Sequence, residues 1–152
     1  PDLIAAIIRR EQECYKQGTD TGQDKYVKEH GQDDGIGPGA SIGPAQMQIR
    51  NIHRLIQDFP AQLGRYASDP LRSAQRVDVA PYFVAGYFTD VIQHLAKNTK
   101  PDYVGRIDWA KIKRNWSEGD LNAALIHSYN PDPGQIGYVN THLKIIREKH
   151  QH

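Results

Sequence analysis

The chain has 152 residues, enough for one domain that buries about two-thirds of the surface its unfolded form exposes. Its 38% apolar and 24% charged residues with a net charge of +1 describe an ordinary soluble protein. They exclude the basic excess of a nucleic-acid binder and favour no charged partner. A single cysteine, Cys14, rules out an intrachain disulfide framework and a cysteine-rich zinc site, and no apolar run is long enough to span a bilayer. No charged-then-apolar leader is present, and the start at Pro1-Asp2 without an initiator Met reads as a mature form or a domain excised from a larger protein.

The spacing predicts a first helix from about Asp2, as N-cap, to about Lys16, with Gly18 as its stop. Ile4, Ile7, Ile8 and Glu11 share one face, which aligns a carboxylate with a stripe that must be buried. Burial raises a carboxyl pKa, so Glu11 is a candidate proton donor near neutral pH; the competing reading sets it at the edge of the stripe, paired with Arg9 or Arg10. Cys14 reads as a small buried hydrophobe on the same helix. From Gly18 to Gly43 the chain is rich in Gly and in Asp (Asp20, Asp24, Asp33, Asp34) and poor in apolar residues. It reads as a long loop with room for a small hairpin, or as a disordered segment.

A second helix is expected over Ala45 to Asp58, ending before Pro60, and residues 60–77 read as a short helical turn plus a connector. The most hydrophobic helix follows, about Val79 to Lys97, capped by Asp78 with Pro81 in its first turn; Phe83, Val84, Tyr87, Phe88, Val91, Ile92 and Leu95 form a face suited to the core. A connector at 100–108 leads to a short helix at Trp109 to Asn115. Ser117 and Asp120 have the spacing of a capping box for a helix carrying Leu121, Ala124, Leu125 and Tyr129, which stops at Pro131. A last helix, about Gln135 to Lys149, buries Ile136, Val139, Leu143 and Ile146. The expected fold class is mainly α, a single domain with one long irregular insertion after helix one.

Three short stretches occur in order: IIRREQ at 7–12, SIGPAQMQI at 41–49 and SYNPDPGQIGYV at 128–139. Together they resemble the lysozyme-like superfamily, in particular soluble lytic transglycosylases and goose-type lysozymes, over roughly residues 3–140. The resemblance implies a lysozyme-like catalytic domain that cleaves the glycosidic bond between N-acetylmuramic acid and N-acetylglucosamine in peptidoglycan, with Glu11 as general acid. Such a reaction needs an acid able to protonate the leaving oxygen, and an inverting hydrolase needs a second carboxylate to hold the attacking water. Asp34 or Asp33 is the first choice for that group, then Asp24. Turn formation beside glycine is the competing reading for each of them. Lytic transglycosylases dispense with the second carboxylate and let the substrate's own 6-hydroxyl close the ring.

The same resemblance implies substrate contacts from Ser41, Gln46, Gln48, Tyr129 and Asn130. The middle motif can be laid down as Gly43-Pro44-Ala45-Gln46 or as Ala45-Gln46-Met47-Gln48; both put a Gln at the start of the second helix. Two departures stand out. Gln12 follows the Glu where the family usually has Ser, and Pro131-Asp132 replaces small residues. The rivals are a non-catalytic glycan-binding or structural module on the same fold and a chitinase- or chitosanase-type glycosidase.

Apart from the terminal pair His150 and His152, the seven histidines lack the close spacing of a zinc helix, HExxH is absent, and GIGPGASIG lacks the lysine of a phosphate loop, so no metal and no cofactor are expected. His127, one turn before Pro131, is a further candidate for substrate contact. The expected partners are peptidoglycan glycan strands and an immunity or inhibitor protein, with no nucleic acid and no membrane span. The chain is expected to act as a monomer in the periplasm or extracellular wall, as an antibacterial effector toxin or phage wall-degrading domain.

Overall fold

The computed structural model describes residues 1–14, 19–30, 39–101, 108–132 and 134–151. It is mainly helical: 74% of these residues lie in helices, accompanied by a small two-stranded sheet. The elements run α1 (Asp2–Glu13), α2 (Thr19–His30), β1 (Ser41–Ile42), β2 (Met47–Gln48), α3 (Ile49–Asp58), α4 (Pro60–Leu63), a 3-10 turn (Gly64–Tyr66), α5 (Pro70–Ala74), α6 (Ala80–Lys97), α7 (Trp109–Ser117), α8 (Leu121–Tyr129) and α9 (Gln135–His150). They divide into two compact units, Pro1–Arg10 with Phe88–His152, and Glu11–Tyr87, so that α1 and α6 each contribute residues to both. No helix among the described residues is long and apolar enough to cross a membrane.

The unit formed by Glu11–Tyr87 corrects the expectation of a long loop after the first helix, because residues 19–30 form α2. That helix has little amphipathic pattern, and Val27 is the one buried side chain described in it. Much of its anchoring is polar. The Arg72 guanidinium donates to the carbonyls of Lys28 (3.1 Å) and Glu29 (3.3 Å), satisfying acceptors that the end of a helix leaves open. The expectation of a helix beginning at Ala45 is also corrected. Residues 41–48 form an antiparallel hairpin with Ser41 opposite Gln48 and Ile42 opposite Met47, and α3 starts only at Ile49.

Buried apolar residues of this unit include Ile42, Met47, Ile49, Ile52, Leu55, Leu63, Leu71, Phe83 and Val84. Gly86 permits close packing, since a Cβ there would meet Leu63 Cδ1 at 3.3 Å.

In the other unit, α7 and α8 form a helical hairpin and α9 packs on α8. Ala123 to Ser128 are all buried, as expected of a helix covered on most sides. Asp120 alone is the N-cap of α8, accepting from Ala123 N–H at 3.0 Å, which corrects the capping-box reading. Ser117 instead closes α7, its hydroxyl donating to the Lys113 carbonyl at 2.9 Å. Gly119, at φ +79°, makes the break between the two helices. Of the four residues expected to be buried on α9, Val139 and Leu143 are buried while Ile136 and Ile146 are half-buried.

Candidate functional site

In the unit Glu11–Tyr87 the last two residues of the first motif, Glu11 and Gln12, lie with the whole of the second. Ala6 and Ile7 are the buried residues of α1, and Glu11, like Ile4 and Ile8, is half-buried. The carboxyl thus stands at the margin of the apolar stripe and not deep within it. Cys14 lies in the turn after α1 and is half-buried, a correction to its reading as a buried helical residue. Next to Glu11, the Gln12 amide donates to the Pro44 carbonyl at 2.6 Å and ties the end of α1 to the hairpin turn.

That turn has a defined internal geometry. Gln46 N–H donates to the Gly43 carbonyl at 3.1 Å, and the Gln46 side-chain amide reaches the same oxygen at 2.9 Å. Gly43 (φ +73°) and Gln46 (φ +47°) both occupy the left-handed region, which is uncommon for a residue such as Gln. Gly43 has a second reason to be glycine: a Cβ there would lie 2.5 Å from the Ala74 carbonyl oxygen, at the end of α5. Gln46 therefore sits in the hairpin turn and not at a helix start. Gln48 occupies the N-cap position of α3, with no side-chain capping bond.

The strand register decides which side chains share a face. Directly opposed residues point the same way, so Ser41 and Gln48 stand together on one face while Ile42 and Met47 are buried on the other. Ser41, Gln46 and Gln48 are all half-buried. Among the described residues neither the Ser41 hydroxyl nor the Gln48 amide has a protein partner, and Gln46 engages one N–H on Gly43. An amide carries two N–H donors and a two-lone-pair oxygen, so this face keeps several donors and acceptors for a polar ligand.

Asp24 sits behind the turn. Its Oδ1 accepts from Gly43 N–H at 2.8 Å and from the Gln75 amide at 3.3 Å, and the same Gln75 nitrogen donates to the Asp24 carbonyl at 2.8 Å. Nothing in the sequence signals this contact, because its partners lie 19 and 51 positions away. Asp33 and Asp34, the first choices for a second carboxylate, fall outside the described residues, as does Pro133 of the third motif.

Tyr129 and Asn130 belong to the other unit. Tyr129 is half-buried with its ring edge-on to Phe88, centroids 6.1 Å apart. Asn130 caps α8 and folds its side-chain oxygen onto Asp132 N–H at 3.1 Å. Tyr138 is exposed and carries the Arg10 guanidinium over its ring at 3.9 Å, a cation–π contact, while Arg10 Nε donates to Gln135 Oε1 at 3.3 Å.

His127, a candidate for substrate contact, is buried in α8 beside Asn115, whose amide nitrogen stands 3.1 Å from Nδ1. An amide nitrogen only donates, so this ring nitrogen accepts and the imidazole is neutral. Burial, assisted by the Lys111 charge, holds its pKa below the usual histidine value. Among the described residues, no group of three or more His, Cys, Asp or Glu is placed to hold a metal ion.

Within the described residues, helix and hairpin together define a mainly helical chain with a polar hairpin face set beside a carboxylate-bearing helix end. No protein-family model, curated protein or solved structure matches the chain.

Proposed function

We propose that the chain is a peptidoglycan-cleaving glycosidase of lysozyme or lytic-transglycosylase type, with a lysozyme-like fold and Glu11 as its general acid. The observation that carries this reading is the hairpin face. Ser41 and Gln48 stand side by side with hydrogen-bonding groups that no described residue takes up, and the turn beside them is bonded to the end of the helix bearing Glu11. Polar side chains half-removed from water yet without protein partners suit the hydroxyl and acetamido groups of an amino sugar. Half-burial of Glu11 leaves its carboxyl able to meet a substrate, as a general acid must.

On this reading Ser41, Gln46 and Gln48 bind the glycan. Tyr129 and Asn130 are assigned to substrate on their match to the third motif alone. Asp33 or Asp34 holds the attacking water if the reaction is hydrolysis. The substrate sets the place of action, the bacterial wall or periplasm, and the need for a cognate immunity or inhibitor protein in a producing cell.

A second reading, a glycan-binding module without catalysis, is favoured by Gln12. Where the resemblance leads one to expect a small hydroxyl beside the acid, this amide donates to Pro44 instead. Clearing of a purified peptidoglycan suspension by the parent protein and by Glu11→Gln separates the two. Loss of clearing in the variant, by about 10²-fold or more for a general acid, supports the enzyme. Equal clearing by both removes Glu11 from the mechanism, and pull-down without clearing by either identifies a binder. Cleavage of chitin oligomers in preference to peptidoglycan would reassign the substrate.

A further inference from the structure

We propose that Asp24 is a positioning residue that fixes the Gly43–Gln46 turn by accepting its backbone N–H, and that the charge of its carboxylate takes no part in bond cleavage. The proposal rests on the glycosidase reading above only for its effect on rate.

Two segments far from Asp24 in the chain, the turn at Gly43 and the residue that ends α5, converge on it. Oδ1 accepts from Gly43 N–H at 2.8 Å and from the Gln75 amide at 3.3 Å, and Gln75 also holds the Asp24 carbonyl at 2.8 Å. The turn thus hangs between two clamps, with Asp24 and Gln75 on one side and the Gln12 amide on the Pro44 carbonyl on the other. The second clamp leads directly to Glu11, so displacement of the turn changes where Ser41, Gln46 and Gln48 stand relative to that carboxyl. A backbone N–H bonded to a carboxylate is among the stronger anchors available to a loop. Gly43 cannot drift inward to compensate, because it already packs against the Ala74 carbonyl more closely than any side chain would allow.

A carboxylate that activates water and one that merely accepts a hydrogen bond differ under two substitutions. Asp24→Asn removes the charge and keeps an oxygen able to accept from Gly43 N–H; Asp24→Ala removes the acceptor. The experiment pairs amide hydrogen exchange at Gly43, followed by NMR, with muropeptide release from purified peptidoglycan. The expected result is exchange at Gly43 about tenfold or more faster in Asp24→Ala and little changed in Asp24→Asn. Release should fall by about 10²-fold in Asp24→Ala, as for a site displaced by an ångström, and persist in Asp24→Asn.

Equal loss of release in both variants with Gly43 exchange unchanged would overturn the proposal and make Asp24 a participant in the chemistry. Unchanged exchange in Asp24→Ala would overturn it whatever the activity. Absence of muropeptides from the parent protein as well, with the exchange pattern as expected, would sink the glycosidase reading and leave the clamp standing.

Discussion

Substitution of Gly43 by Ala tests the close approach of the hairpin turn to α5. The added Cβ would meet the Ala74 carbonyl oxygen at 2.5 Å, the Ala74 carbonyl carbon at 3.2 Å and Gln75 Cα at 3.2 Å, all backbone atoms that cannot rotate away. Retreat by roughly 0.9 Å to ordinary contact would weaken the 2.8 Å bond from Gly43 N–H to Asp24. A hydrogen bond to a charged group contributes about 1.5–3 kcal/mol, and the left-handed backbone adds about 1–2 kcal/mol for an L-residue. Gly43→Ala should therefore destabilise by about 2.5–5 kcal/mol. Gly119→Ala supplies the control. Its φ is +79° but no atom lies within 4 Å of the added Cβ, so only the backbone penalty of about 1–2 kcal/mol applies. Urea unfolding followed by far-ultraviolet circular dichroism measures both. A Gly43→Ala cost no greater than that of Gly119→Ala would refute the packing assigned to the turn.

Other substitutions probe the remaining elements. Phe83→Ala, which empties one of the largest fully buried positions, should cost about 3–5 kcal/mol in the same assay. Asp120→Ala removes the bond to Ala123 N–H and should cost about 0.5–2 kcal/mol, whereas Ser117→Ala, no longer a cap in the observed fold, should cost less. His127 is held neutral, with a folded pKa below its unfolded value of about 6.5, so the unfolded chain binds the proton first. Its contribution is complete above that pH and is lost as the pH falls through the window beneath it. His127→Gln should flatten the decline in stability as the pH falls below about 6.5, and an unaltered profile would show that another group is responsible.

The sequence announced some elements and concealed others for physical reasons. The helices over 80–97 and 135–150 were legible because apolar residues recur at three and four positions. The helix over 19–30 was not, since Val27 is the one buried side chain described in it and its anchors, Arg72 and Gln75, come from α5 and the residue that ends it. The hairpin is concealed: Ile42 and Met47 are buried and Ser41 and Gln48 are not, but strands of two residues are too short to display a period of two. Met47 and the two glutamines have good helix propensity, and the turn that overrides it depends on Gly43 packing against a carbonyl 31 residues away. Of the candidate site, Glu11 is legible from helix periodicity, whereas Ser41, Gln46 and Gln48 are reached through the motif resemblance; all four lie in one unit. Asp24 and Gln12 acquire their roles only from contacts that spacing does not reveal.

Mass spectrometry of soluble products released from purified peptidoglycan, by the parent protein and by Glu11→Gln side by side, addresses the acid role most directly. The account predicts muropeptides from the parent, with reducing ends for hydrolysis or anhydro ends one water lighter for transglycosylation, and a loss of about 10²-fold or more in the variant. Muropeptides released at the same rate by Glu11→Gln would contradict it.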